Sequence, residues 1–198
     1  MLIARLLIAA VLGYLVGSFP TGVVVTRLLG KPDPRFAGSG HTGGLNVYRL
    51  AGTVGIAFTA LADMGKSVLA AWLALRLTGT PWALPAAGMG AVVGHCWSIY
   101  VGFAGGMGLG TLAGLFLWQQ PLLVAVAAAL WGLSYLLLRD SPRAVMAVTV
   151  VLMVIIGVLG GFGQLSPQAT TLGIGGLAIL FLRHLTQLPR YDRRARAN

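Results

Sequence analysis

A polytopic, all-α bundle of membrane-spanning helices forming one domain over residues 1–198 is the fold this sequence predicts, and three observations predict it. Of the residues, 57% are apolar and only 9% charged, with a mean hydropathy of +0.86, whereas a water-soluble domain carries about 25% charge. The apolar residues fall into runs approaching the ~20 needed to cross a bilayer. Finally, the basic residues cluster beside alternate ends of those runs, as retention of Lys and Arg in the cytoplasm demands.

The runs follow in chain order. Leu2 to Val25 comes first. It continues through Gly17-Ser18-Phe19-Pro20 without a cleavage site and ends in basic residues, so it reads as a first span rather than a secretory signal, despite Arg5 near its start. Gly52 to Leu77 lies between Arg49 and the turn Thr78 to Pro81, and Trp82 to Tyr100 follows that turn. Gly108 to Trp118 is short and glycine-rich, which leaves five or six full spans plus a half helix as the alternative to seven. Leu122 to Leu138, Ala144 to Gly160 and Ala169 to Leu182 complete the set.

With the N-terminus outside, Arg27, Lys31, Arg35, Arg49, Arg139, Arg143, Arg183, Arg190, Arg193, Arg194 and Arg196 fall on the cytoplasmic side, 11 of the 14 basic residues. The outer turns Gln119 to Pro121 and Gly161 to Gln168 carry no charge. An odd number of crossings satisfies this pattern, with the C-terminus inside. The arginines beyond Arg190 read as an anchor for anionic lipid. Glycines four apart, Gly13 with Gly17 and Gly157 with Gly161, predict close helix packing in the first and sixth spans.

Composition also excludes classes of function. So apolar a chain is not disordered. The net charge of +10 is a topology signal, not a nucleic-acid footprint. Single Cys96 forms no internal disulfide and has no metal-ligand spacing around it, so neither redox chemistry nor a metal is expected.

Three constellations carry the chemistry. The first is the loop from Arg27 to Arg49, ending Gly38-Ser39-Gly40-His41-Thr42-Gly43-Gly44-Leu45-Asn46-Val47-Tyr48-Arg49. Without a preceding strand its glycine pattern is not a dinucleotide fingerprint. Glycines still let backbone N–H groups converge on an anion, Ser39 offers a hydroxyl, and Arg49 suits bidentate contact with phosphate. An oxyanion site is expected there. The second is Asp63 with Lys66, three residues apart on one helical face within a span. They are either an internal pair that fixes packing or part of the reaction. Gly65-Lys66-Ser67 resembles a P-loop ending, but Ala60 stands where its first glycine belongs. The third is Gly94-His95 followed by Phe103 and Gly105-Gly106-Met107-Gly108-Leu109-Gly110-Thr111. Its glycine turn offers further backbone donors beside a histidine, either structural or catalytic. On the same face, Arg139 and Ser141 at one turn and Arg183, His184 and Gln187 near the C-terminus add donors.

With these motifs in place, the chain resembles the bacterial acyl-phosphate-dependent glycerol-3-phosphate acyltransferases. The family pattern G-S-G-N-x-G-A-x-N-x-x-R is matched at Gly38, Ser39, Gly40, Gly43, Asn46 and Arg49. The pattern G-H-x-F-P-x-F-x-x-F-x-G-G-K-G-V-A-T is matched without a gap at Gly94, His95, Phe103, Gly105, Gly106, Gly108 and Thr111. Gly17-Ser18-Phe19-Pro20-Thr21-Gly22 and the Asp63, Lys66 pair are also similar to family features.

The resemblance implies transfer of an acyl group from acyl phosphate to the sn-1 hydroxyl of glycerol 3-phosphate, giving lysophosphatidate and phosphate without metal, coenzyme A or other cofactor. It implies a multi-pass protein of the bacterial inner membrane, surrounded by membrane lipid, with its site on the cytoplasmic face. Ser39, Asn46, Arg49 and His95 are then the expected catalytic residues. Gly38, Gly40, His41, Gly43, Gly105, Gly106, Gly108, Thr111, Arg139, Ser141, His184 and Gln187 are the expected substrate-binding residues.

This chain departs from the family at Met107, where the family has lysine, at His41 and Gln187, where it has asparagine, and in lacking the family's C-terminal glutamate. A thioether cannot replace a charged hydrogen bond to phosphate, worth about 1.5 to 3 kcal/mol. Either another base such as Arg139 or Arg143 compensates, or the acceptor is another phosphorylated alcohol, or the protein is a non-catalytic lipid-binding or transport relative.

Overall fold

The computed structural model describes residues 1–195. Arg196, read above as a topology signal, lies outside the described residues, as do the side chains of Arg190, Arg193 and Arg194. Eight α-helices follow in order: α1 (Leu2–Gly17), α2 (Thr21–Leu28), α3 (Gly44–Thr78), α4 (Ala83–Cys96), α5 (Leu109–Gln119), α6 (Pro121–Leu138), α7 (Ser141–Gly161) and α8 (Pro167–Ala195). A single 3-10 turn, Ile99–Val101, follows α4, and among the described residues there is no strand.

Six stretches are long and apolar enough to cross a membrane: Leu2–Leu28, Gly44–Thr78, Ala83–Val101, Pro121–Leu138, Ser141–Gly161 and Pro167–Pro189. α5 is not one of them, because its 11 residues span only about 16 Å of a ~30 Å layer. By length, the described residues thus give six full spans and one short helix, the arrangement set out above as the alternative to seven. α5 is short because the preceding chain spends its length on a glycine turn folded back against α4, where Gly105 and Gly106 lie on His95 and Cys96.

Two other predicted spans are broken where local chemistry requires it. The first run splits at Ser18-Phe19-Pro20, since Pro20 has no N–H and its ring opposes continued helix. The freed carbonyls acquire long-range partners: Ser98 Oγ donates to Ser18 O, and Lys66 Nζ to Phe19 O at 2.9 Å. The second run begins at a true break, because Gly52 has φ 66° and ψ −160°, a conformation open to glycine. It separates an eight-residue helix, 44–51, from the spanning part of α3, so Asn46 and Arg49 stand on a helix rather than in a loop. At the other end, α8 continues past Leu182 and presents Arg183 and Gln187 on one face, four residues apart.

α1 and α4 run in the same direction and touch through small residues. A Cβ on Gly13 or Gly17 would enter the backbone of Ala87 or Ala91, and one on Gly90 or Gly94 would enter that of Ala10 or Tyr14. The expected packing role of Gly13 and Gly17 holds. That of Gly157 and Gly161 does not, because nothing lies within 4 Å of either Cβ position. Their neighbour Gly160 makes the contact instead, against Thr170 of α8. The main apolar core joins α4, α5, α7 and α8 through Val92, Leu112, Phe116, Leu152, Ile156 and Leu180. α5 and α8 are antiparallel: Gly108 faces Leu180 while Leu112 faces Gly176. This alternation brings loop 29–43, turn 97–108 and the C-terminal part of α8 to one end of the bundle.

Candidate functional site

At that end, a buried polar cluster crosses three helices. Asp63 and Lys66 form the expected pair, with Nζ 2.9 Å from Oδ1, and both side chains are buried. The structure adds His95, whose Nδ1 lies 3.1 Å from Lys66 Nζ and 3.3 Å from Asp63 Oδ1. Thr21 Oγ1 donates to Asp63. Lys66 thus has three N–H donors and three acceptors: Asp63 Oδ1, Phe19 O and His95 Nδ1. An ammonium has no lone pair, and a protonated Nδ1 would set two hydrogens against each other across 3.1 Å. Where Lys66 donates to it, Nδ1 presents its lone pair and the ring proton resides on Nε2; a protonated Nδ1 would instead donate to Asp63 Oδ1, 3.3 Å away. A Cβ on Gly106 would collide with that Nε2, so only glycine leaves the imidazole N–H room at the turn.

The first loop is organised around Asn46. Its Nδ2 donates to Pro34 O, Ala37 O and His41 O at 2.9 to 3.0 Å, and its Oδ1 accepts from Ser39 N at 2.7 Å. Both ends of the amide are occupied by backbone, so Asn46 shapes the loop that displays Ser39. Gly38 has φ 60°, and a Cβ there would lie 2.1 Å from Asn46 Oδ1, two independent reasons for glycine there. Near the loop's start Arg35 brackets Asp33 at 2.7 Å, and this guanidinium hydrogen bond holds the Asp33 carboxyl below its ordinary range.

His41 and Gln187, the two positions that depart from the family's asparagines, touch each other, with His41 Nε2 3.2 Å from Gln187 Oε1. His41 Nδ1 is 3.4 Å from Ser39 Oγ, and its ring stacks on Tyr191 at 6.0 Å between centroids. A substitution in the first loop is thereby matched by one on α8, 146 residues away.

The second glycine turn lies across from the first. The Cβ position of Gly43 is 3.9 Å from both Gly106 Cα and Met107 N. Gly106 N donates to His95 O at 2.9 Å. Arg183, buried, donates from Nε to Gly106 O at 3.0 Å and from Nη2 to Gly105 O at 3.2 Å, with its guanidinium carbon 5.2 Å from the Trp97 ring centroid. Gly108 turns the chain into α5 at φ 84°.

Most of the expected site residues therefore converge: Gly38, Ser39, Gly40, His41 and Gly43 from the first loop with Asn46 on the helix after it, His95 from the end of α4, Gly105, Gly106 and Gly108 from the second turn, and Gln187 from α8. Arg49 is exposed one turn beyond Asn46, and its side chain makes no hydrogen bond or ion pair among the described residues. Thr111 is fully buried and its hydroxyl has no partner. His184 is buried, with Nδ1 2.9 Å from Leu180 O in its own helix. Arg139 and Ser141 are not brought into the cluster. Their side chains sit at the α6–α7 turn without a hydrogen bond or ion pair among the described residues; Arg139 is left-handed and its backbone N–H donates to Tyr135 O at 2.8 Å. Asp140 there caps α7 and holds Arg143.

Sequence reasoning passed over Thr21, Phe19 O, Trp97 and Tyr191 as site residues, and it gave Arg183 no role in the turn. Pro20 in an otherwise continuous run was the available signal for the first two.

Beside the cluster opens an apolar cavity of about 350 Å³ between α5, α6, α7 and α8, lined by Leu109, Phe116, Val124, Trp131, Val145 and Leu177. Gly110 also lines it, and the Cβ position of Gly110 is 3.4 Å from Asp63 Cβ. The cavity thus begins where the polar cluster ends.

Comparison with known proteins accords with this geometry. The family profile described as glycerol-3-phosphate acyltransferase matches residues 7–193. A glycerol-3-phosphate acyltransferase of Rubrobacter xylanophilus is 41% identical over 173 residues, covering 87% of this chain and 84% of that protein. One from Jannaschia sp. is 32% identical over 183 residues, covering 92% and 87%. The crystal structure of PlsY, an integral membrane glycerol 3-phosphate acyltransferase, in its glycerol 3-phosphate form superposes with a TM-score of 0.77 at 26% identity, covering 95% of this chain and 92% of that one. The lysophosphatidic acid form matches equally well, with a TM-score of 0.77.

Proposed function

The chain belongs to the glycerol-3-phosphate acyltransferase family, and from that premise we propose that it moves an acyl group from acyl phosphate to the sn-1 hydroxyl of glycerol 3-phosphate, releasing phosphate and lysophosphatidate for phospholipid synthesis. It is an integral membrane acyltransferase. The observation that carries the specific reading is the meeting of the two glycine turns at Gly43 and Gly106, beside an imidazole oriented by a buried lysine.

Acyl phosphate is already activated, so holding two anions in register and stabilising a tetrahedral oxyanion is the work required. Arg49 and Ser39 receive phosphate with the backbone donors of the turns. The sn-1 oxygen bonds to the acyl carbonyl carbon, the bond from that carbon to the bridging phosphate oxygen breaks, and inorganic phosphate leaves. His95, with its proton on Nε2, is a donor in this step and not its base. The hydroxyl proton therefore passes to a phosphate oxygen of a substrate, a nearby group with a free lone pair. The acyl chain lies in the apolar cavity beyond Gly110.

The positive-inside rule supports a cytoplasmic site, because Arg27, Lys31, Arg35 and Arg49 flank the first turn. The likeness to the integral membrane protein PlsY supports a membrane location, here the bacterial inner membrane.

The test is to incubate the purified protein with acyl phosphate and glycerol 3-phosphate and measure lysophosphatidate and phosphate release. Absence of both, with the Rubrobacter relative active in parallel, overturns the reading. Met107 is the one feature favouring a different phosphorylated alcohol as acceptor, and offering such alcohols in the same assay decides it. Met107→Lys is expected to lower the KM for glycerol 3-phosphate about tenfold or more, as a restored charged hydrogen bond requires. An unchanged KM would show that position 107 does not face the acceptor phosphate.

A further inference from the structure

We propose that Arg183 is a positioning residue that aims the Met107 backbone N–H at the acceptor phosphate, taking over part of what a lysine side chain at position 107 would do. The proposal rests on the acyltransfer reading above.

Arg183 spends Nε on Gly106 O and Nη2 on Gly105 O, with one face of its guanidinium on Trp97. Two adjacent carbonyls are thus drawn toward one buried cation. In a trans peptide the N–H points opposite to the C=O of the same unit. The peptide whose carbonyl is Gly105 O has its N–H on His95 O. The next peptide, whose carbonyl is Gly106 O, carries the Met107 N–H, which has no hydrogen-bond partner among the described residues. It points away from Arg183, and Met107 N lies near the facing loop, 3.9 Å from the Cβ position of Gly43.

A guanidinium on the carbonyl side polarises that peptide and makes its N–H a stronger donor. It also adds positive potential to a site for a doubly negative headgroup without entering it. The planar fork is needed, because a lysine ammonium is a point charge that does not hold two carbonyls at a fixed spacing.

Michaelis constants measured on the full-length protein in detergent test this. Arg183→Lys is expected to raise the KM for glycerol 3-phosphate about tenfold while leaving the KM for acyl phosphate within about twofold. In the Met107→Lys background Arg183→Lys should change that KM by less than about twofold, leaving it near the value of Met107→Lys alone, since the new ammonium occupies the place the N–H addressed. A merely structural arginine predicts neither the split nor this loss of effect. Equal rises in both KM values, or additive effects in the double variant, overturn the proposal.

Should Arg183→Lys fail to accumulate, Trp97→Leu, which removes the ring beneath the guanidinium, is expected to give the same split at two- to fivefold, and its absence counts against the proposal. If the unaltered protein turns over nothing, the acyltransfer reading fails by itself. Calorimetric titration with glycerol 3-phosphate then still tests Arg183: tenfold weaker binding in Arg183→Lys supports its role, and unchanged or undetectable binding in both proteins ends it.

Discussion

Arg49→Ala is expected to lower kcat/KM by a hundredfold or more while the protein extracts, folds and melts as before. The two halves of this expectation come from different parts of the structure. Arg49 is exposed and its side chain makes no hydrogen bond or ion pair among the described residues, so its removal strands no buried partner and opens no cavity; surface changes of that kind shift stability by about 0.5 kcal/mol or less. Toward a phosphate the same side chain offers two parallel N–H bonds. At about 1.5 to 3 kcal/mol each, their loss corresponds to two or more orders of magnitude. Arg49→Lys keeps the charge but loses the fork and should fall between the two. The short helix 44–51 makes this possible: Asn46, one turn earlier on the same side, is consumed by the loop backbone, which fixes the helix and leaves Arg49 free to reach. Turnover retained by Arg49→Ala, measured as lysophosphatidate formed at subsaturating glycerol 3-phosphate, would remove Arg49 from the phosphate site.

The sequence revealed what repeats along a helix or lies close together in the chain. Apolar runs located the helices, and the distribution of arginine supplied an end of the bundle at which to look for a site. The glycine loops were legible because a positive φ or a close approach requires glycine whatever the surroundings, as Gly38 and Gly106 demonstrate. Pairings across the bundle were not legible. Nothing local to His95 announces that Lys66, 29 residues away, saturates its Nδ1, or that the substitutions at His41 and Gln187 meet. Asn46 entered the expected catalytic set through its place in the family motif, and the folded loop shows its amide engaged with four backbone partners. Gly157 and Gly161 failed as packing sites for the converse reason: spacing marks one side of a helix as smooth, but not whether another helix covers it.

Lys66→Met is expected to cost both stability and activity, and the two losses separate. Removing the ammonium leaves Asp63 as a buried anion with no cationic partner in its helix and strands Phe19 O. Breaking a buried pair from one side costs about 3 to 5 kcal/mol, enough to lower the thermal midpoint in detergent by many degrees. Turnover should fall as well, because without Lys66 opposite it Nδ1 is free to take the proton and donate to Asp63, 3.3 Å away. That shift strips Nε2 of the hydrogen it presents at Gly106. The double variant Asp63→Asn with Lys66→Met distinguishes the two effects. It removes both charges, leaves no unpaired ion in the span, and should regain most of the lost midpoint. It should not regain turnover, since nothing then compels the Nε2–H tautomer. Recovery of both together would reduce Asp63 and Lys66 to a packing device and return His95 to the list of possible bases. Recovery of the midpoint alone, with nitrogen NMR of the imidazole showing the proton moved to Nδ1, would establish that the buried lysine contributes to catalysis by dictating which face of a histidine carries its hydrogen.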